Sequence, residues 1–339
     1  MNNQFNVGIF SPSFEAPAIW PNLYLLGKNL LKDTLSPYHI VEGEGIATAN
    51  DRIENKIRDW NCMSTLDLVF TTLGGNCGAK YANNLNLENF NGKFFGFSDC
   101  THYHNQLWLA GKKSYYGCSI MNQFALSEGM DTYTKKYFNH AVKSNKNIEI
   151  LPSTVFCDTD LNWGEVDKML SLGELAKIPA RNFEINPGYK WDCDDKACVT
   201  GVSWGGCLES IEQMIDNKSP LPKTLKGVIL VIETANTPRM EYIVNVIEKI
   251  NRVLPLSEVL GVLVGRPKVS QIGKVVKYDD KLEYYNNQIK SIIQCFRKFN
   301  SKAPIVFGLD FGHTNPQVCI PLNSSITIDC INKKVIADF

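Results

Sequence analysis

The chain has no excess of charge of either sign, since 35 Lys and Arg residues balance 35 Asp and Glu among 339 residues. That balance leaves no field to draw it to a polyanion or an anionic bilayer, so no nucleic-acid partner is expected. Long apolar runs are missing too. GVILVI and VLGVLVG fall far short of the roughly 20 residues that span a bilayer, and the opening MNNQFNVGIFSPS has neither a basic stretch nor an apolar signal core. The expectation is a soluble, cytoplasmic protein without membrane attachment. Zinc-finger spacing is absent: the close pair Cys193 and Cys198 is followed by no second pair and no histidine at ligand distance, and DCDDKAC reads better as a hairpin turn. GGNCGAKY fails as a Walker loop, because no glycine precedes Lys80 and no Ser or Thr follows it. Neither a metal nor a cofactor is expected. Repeats and low-complexity tracts are also lacking. Cysteine is plentiful by contrast, but eleven is an odd number, and Cys319 and Cys330 sit in strand-like runs, which suits reduced, buried thiols.

What is present is alternation. Short β-rich runs (NVGIFSPS, HIVEGEGI, TLDLVFTTLGG, KFFGFSD, SYYGCSI) are separated by helical patterns such as WPNLYLLGKNLLKDTL, NDRIENKIRDWNCM and DTYTKKYFNHAVKS. This predicts parallel strands joined by helical crossovers. Length and pattern together predict two α/β domains: residues 1–150, then an interdomain insertion over 151–195 where the periodicity fails, then 196–339. In the second domain Leu282, Tyr285, Ile289, Ile292, Ile293 and Phe296 recur at spacings of three and four, one apolar helix face. The end is strand-rich, and VCIPLNSSITIDCINKKVIADF predicts a closing hairpin.

Open α/β sheets bind ligands beyond the carboxyl ends of their strands. Four places there carry chemistry. Gly74-Gly75-Asn76-Cys77-Gly78 follows TLDLVFTTL, Ser98 follows KFFGF, Glu233 ends GVILVIE, and His313 follows PIVFGLDFG. A serine at a sharp strand-to-helix turn resembles a nucleophile elbow, although the second glycine of G-x-S-x-G is missing. The plainer reading makes Ser98 or Asp99 a helix cap. Serine, carboxylate and histidine can form a triad in which the histidine takes the serine proton and the carboxylate holds the imidazole. The diglycine allows the close backbone approach that an oxyanion hole needs, or is simply a loop. His313 could equally cap a turn, and Glu233 could pair with Arg239. Cys77 is a second candidate nucleophile, with Glu233 and His313 as partners. His102 and His104 read as helix-surface or packing residues.

Together, NVGIFSPS, LGGNCG, GFSDCT, TGVSWGGCL, VILVIE, GVLVGR and LDFGHTNPQVCIPL, in this order and spacing, resemble the serine peptidases that comprise LD-carboxypeptidases and microcin C self-immunity proteins. The resemblance implies an N-terminal Rossmann-like parallel sheet with helices on both faces, a C-terminal α/β domain, and an active site in the cleft between them. It implies Ser98, Glu233 and His313 as the triad, the N–H groups of Gly75 and Asp99 as the oxyanion hole, and Gly74, Asn76, Lys80 and Trp163 as substrate-binding positions. It also implies a homodimer without cofactor. The long spacing from Ser98 to Gly206, and Trp163 in LNWGE, resemble the immunity branch, which cleaves peptidyl or aminoacyl nucleotide conjugates. The carboxypeptidase branch trims murein tetrapeptides, and Trp204 resembles that side. Cys77, Gly78 and Ala79 stand where the immunity branch has polar residues, Lys80 where carboxypeptidases have arginine, and Cys207 where asparagine is expected. A cleft binder that has lost turnover is the rival expectation from another class.

Overall fold

The computed structural model describes residues 5–36, 39–48, 52–271, 274 and 276–339. Apolar runs such as Leu68–Thr71 and Val228–Glu233 are buried along their whole length, as strands covered on both faces must be. They build two sheets. The first has six strands in the order Ile320–Leu322, Ser114–Tyr116, Lys93–Gly96, Leu68–Thr71, Asn6–Phe10 and His39–Glu42. All its pairings are parallel except that of Ile320–Leu322, which runs antiparallel to Ser114–Tyr116. The second has eight strands around a parallel centre of Cys198–Cys207, Val228–Glu233, Gly261–Gly265 and Ile305–Leu309.

The helices follow the apolar periodicity of the sequence. Pro21–Leu35, Ile53–Met63, Thr132–Lys143, Leu208–Asp216, Met240–Val253 and Tyr278–Phe296 lie where the patterns place them. In Met240–Val253 the buried side chains are Ile243, Val246, Ile247 and Ile250, one face at spacings of three and four. Among the described residues, no helix is long and apolar enough to cross a membrane.

The two sheets exchange strands. Ile148–Glu149 and Lys190–Asp192 pair into the second sheet, while Ile320–Leu322 completes the first. Of the expected closing hairpin, Ser325–Asp329 pairs antiparallel with Lys334–Ala337. The hairpin expected over DCDDKAC does not form. Its turn is present, with the Ala197 N–H on the Asp194 carbonyl, but the flanking strands diverge. Lys190–Asp192 pairs with Ile305–Leu309, and Cys198–Cys207 with Ser325–Asp329 and Val228–Glu233. The aperiodic 151–195 segment holds a helix, Trp163–Ser171, and two-residue strands at Val155–Phe156 and Glu184–Ile185, too short to show alternation in sequence.

The helix Thr101–Leu109, directly behind Ser98, joins the two layers. Trp108 Nε1 donates to the Ser203 carbonyl (3.1 Å), and Asn105 takes a hydrogen bond from Trp204 Nε1 (3.2 Å) and gives one to Pro220 (2.8 Å). The nucleophile candidate is therefore anchored to the domain that carries Glu233 and His313.

Candidate active site

The chain leaves the strand Lys93–Gly96 and turns at Ser98, whose φ is +63°, before a 3-10 turn (Ser98–Cys100) and the helix. A left-handed conformation costs a non-glycine residue on the order of 1–2 kcal/mol, so it needs outside support. Part of that support is the Ser98 N–H, which donates to the Tyr116 hydroxyl (2.9 Å). Asp99 supplies more: its buried carboxylate accepts the N–H groups of Cys77 (3.0 Å) and Gly78 (2.7 Å), clamping the glycine-rich loop to the turn. At Gly74 the approach is so close that a Cβ would lie 2.9 Å from Ser98 Cβ.

Glu233 closes its strand with 1 % exposure. One carboxylate oxygen accepts from His313 Nδ1 (2.8 Å), the other from the Tyr116 hydroxyl (2.6 Å). The Nδ1–H bond fixes the tautomer and leaves Nε2 as the basic nitrogen of the imidazole. The neighbouring Gly312 has φ +100°, and a Cβ there would sit 2.7 Å from Glu233 Oε2. Phe97 packs edge-on to the His313 ring, with centroids 5.2 Å apart. Below this, the buried pair Arg266–Asp310 (2.6 Å) ties the loop after Ile305–Leu309 in place, and Asp310 also accepts the N–H of Ser153 (2.8 Å).

Ser98 and His313 face one cavity of about 410 Å³, together with Gly74, Gly75 and Trp163. Among the described residues no hydrogen bond joins Ser98 Oγ to His313, and catalytic contacts are often loose in an empty site. Asn76 and Lys80 are exposed and are not among the lining residues; nor is Cys77, whose N–H is tied to Ser13 and Asp99. His102 and His104 are buried packing residues rather than surface ones. His104 bridges Ser114 Oγ (2.7 Å) and the Gly96 carbonyl (2.8 Å), and burial pushes its pKa down to about 4. Burial likewise lowers that of His102.

Several lining residues escape the sequence. Asn122 and Gln123 lie on a single π turn, Ile120–Phe124, and Gln317 reaches back to the Gly312 carbonyl. Trp20 packs edge-on to Trp163, with centroids 5.1 Å apart at 87°. Lys268, paired with Asp160 at the cavity, follows the strand Gly261–Gly265, so the strand-end rule that finds Glu233 and His313 could have found it.

Residues 200–328 match the family model described as the LD-carboxypeptidase C-terminal domain. Over that stretch the chain carries the LD-carboxypeptidase C-terminal domain. A candidate carboxypeptidase of Bacillus subtilis (strain 168), YocD, is 23% identical over 289 residues, which are 83% of this chain and 79% of YocD. In fold, the chain is similar to an MccF-like protein from Streptococcus pneumoniae solved in complex with AMP, with a TM-score of 0.81, 21% identity and 98% of both chains covered. It is similar as well to the microcin C7 self-immunity protein MccF in complex with aspartyl sulfamoyl adenosine, with a TM-score of 0.78, 18% identity, and 98% of this chain and 96% of that one covered. One departure from the family pattern, Cys207, is buried outside the cavity lining, its thiol on Glu209 (3.0 Å), and burial raises the pKa of that thiol well above the usual range. Among the described residues, no cluster of three His, Cys, Asp or Glu could hold a metal ion.

Proposed function

We propose that the chain hydrolyses an amide bond through an acyl-enzyme on Ser98. The observation that carries this is the Glu233–His313 bond at the same cavity as a serine in left-handed backbone. Ser98 Oγ attacks the amide carbonyl carbon as His313 Nε2 takes its proton. The backbone N–H groups of Gly75 and Asp99 receive the oxyanion. The imidazolium, held by Glu233, then gives the proton to the leaving nitrogen, and the C–N bond breaks. Water, deprotonated by His313, attacks the ester and releases Ser98.

The substrate favoured is a peptidyl or aminoacyl nucleotide conjugate. A murein tetrapeptide ends in a carboxylate that a carboxypeptidase must pair with a cation. Lys80 lies outside the cavity, and the lining lysine, Lys268, is already paired with Asp160. The indole of Trp163 and the amides of Asn122, Asn236 and Asn315 suit a nucleoside better. AMP and aminoacyl sulfamoyl nucleosides are the ligands bound in the similar structures. The second reading, a tetrapeptide LD-carboxypeptidase, draws on the family model and YocD. A cytoplasmic homodimer completes the proposal.

Wild type and Ser98→Ala should be compared on an aminoacyl sulfamoyl adenosine and on a tetrapeptide. Turnover of the nucleotide conjugate, lost by at least about 10³-fold in the variant, is expected. Turnover of the tetrapeptide alone would move the assignment to the other branch, and unchanged turnover in Ser98→Ala would remove the nucleophile. If wild type binds both and cleaves neither, the chain is a cleft binder.

A further inference from the structure

Tyr116 closes the strand Ser114–Tyr116 with no exposed surface, in neither the loop of the nucleophile nor that of the histidine. Its hydroxyl has one proton to give. The Ser98 N–H (2.9 Å) occupies it as acceptor, so the proton must go to Glu233 Oε1 (2.6 Å). Glu233 thereby has both oxygens satisfied, Oε2 by His313 and Oε1 by Tyr116. A carboxylate with 1 % exposure needs this, because an unpaired oxygen lone pair in such a site is costly. The ring itself is held by Phe97, His104 and Phe311 packed around it.

We infer that Tyr116 is a positioning residue that couples the nucleophile turn to the triad carboxylate: one hydroxyl fixes both the backbone of Ser98 and the orientation and charge of Glu233. The inference rests on the serine-hydrolase reading above. Three consequences follow from the geometry. With its N–H committed to Tyr116, Ser98 cannot supply its own amide to the oxyanion, which leaves that task to Gly75 and Asp99. Because the phenol draws charge from Oε1, Glu233 is a weaker base toward His313 than it would be alone. And because the contact runs between the two sheets, any opening that parts Ser98 from Glu233 must break a buried hydrogen bond on one side of the hydroxyl. Burial first, and the Glu233 charge second, hold the phenol pKa well above its usual value, so the proton stays on Tyr116 across the working range.

Tyr116→Phe removes the hydroxyl and keeps the ring. With the nucleotide conjugate that wild type turns over, kcat should fall about 10- to 100-fold, the order of one charge-assisted hydrogen bond, with KM changed less than about 2-fold. The acid limb of kcat/KM against pH should move to higher pH. Without the phenol proton Glu233 holds more charge, favours the imidazolium, and His313 becomes available as a base only at higher pH. The position of that limb does not depend on how much of the variant is folded, so a partly unfolded preparation still answers. An unmoved limb overturns the coupling, even if kcat drops. The control is Ser98→Ala: if it retains turnover, the hydrolase reading itself fails, whereas an inactive Ser98→Ala beside a Tyr116→Phe of wild-type rate and profile removes Tyr116 alone.

Discussion

The face that carries Ser98, Glu233 and His313 and the 158–171 segment that borders the same cavity are built by opposite means. Glu233 ends, and His313 follows, a strand buried at every residue, and the strand before Ser98 is buried at all but its first residue. Each is fixed by short hydrogen bonds to backbone or to another buried side chain. The 158–171 segment has little core of its own: Val166 is the one buried residue of its helix. Ionic and aromatic pins hold it instead. Asp167 accepts the N–H groups of Asn22 (2.8 Å) and Leu23 (2.9 Å) at the start of Pro21–Leu35, Asp160 pairs with Lys268, and Asp158 accepts from Val269 (3.1 Å) and Ser270 (3.0 Å). Trp163 leans on Trp20. On the proposed reading, chemistry falls to deeply packed elements and substrate choice to a strap held at its surface by polar and aromatic contacts.

The sharpest way to break this comparison is Gly312→Ala. A Cβ in a left-handed backbone at +100°, placed 2.7 Å from Glu233 Oε2, must push the carboxylate off His313. Activity should fall by about 10²-fold or more for every substrate alike, as a misplacement near 1 Å does. A steady-state assay on two unrelated substrates checks it, and a loss confined to one would mean that Gly312 acts on binding.

A pH titration of stability probes the packing beneath Tyr116 and Gly96. His104 is neutral when folded, with a pKa of about 4 against roughly 6.5 unfolded. Its contribution is therefore whole above pH 6.5 and is lost as pH falls through the window from 6.5 to 4, where the unfolded chain binds a proton that the folded one refuses. The loss should reach about 3 kcal/mol. Denaturant unfolding of wild type and His104→Gln across that window measures it: the variant should lack this part of the slope, and parallel curves would show that His104 titrates freely.

The smallest effect belongs to the strap. Trp163→Ala should raise KM for an aminoacyl nucleotide by about 10- to 100-fold, in line with 1–3 kcal/mol for base stacking, while leaving a tetrapeptide substrate nearly unaffected. Equal losses on both would make Trp163 a structural pin for Trp20 rather than a stacking platform.

The same contrast explains what the sequence made legible. A long buried strand announces itself as an apolar run, and the polar residue where it stops is conspicuous, as with Glu233 after VILVI or His313 after IVFGL. Those positions could be read, and so could the helices with one apolar face. Tyr116 could not, because a tyrosine closing a three-residue strand reads like any core tyrosine, and only its position opposite Glu233, 117 residues away, gives the hydroxyl a task. Trp20 escaped for a similar reason: its partner Trp163 lies in a segment whose strands are two residues long, and its helix is signalled only by the Asn162 cap on Gly164 and Glu165. Cys77 looked chemical because of its glycine neighbours, and the packing turned it away from the cavity.

The strand Ile320–Leu322 carries a consequence for biosynthesis. It borders Ser114–Tyr116 in the first sheet, yet about two hundred residues of chain are made between them. At roughly 5–20 residues per second, tens of seconds pass on the ribosome during which Ser114–Tyr116 is a bare sheet edge. For most of that interval the nascent chain has Ser98 but neither His313 nor a closed sheet edge, so under the proposed mechanism it is inert, and it is exposed to mispairing. Cutting the gene between its two halves would make that transient state permanent.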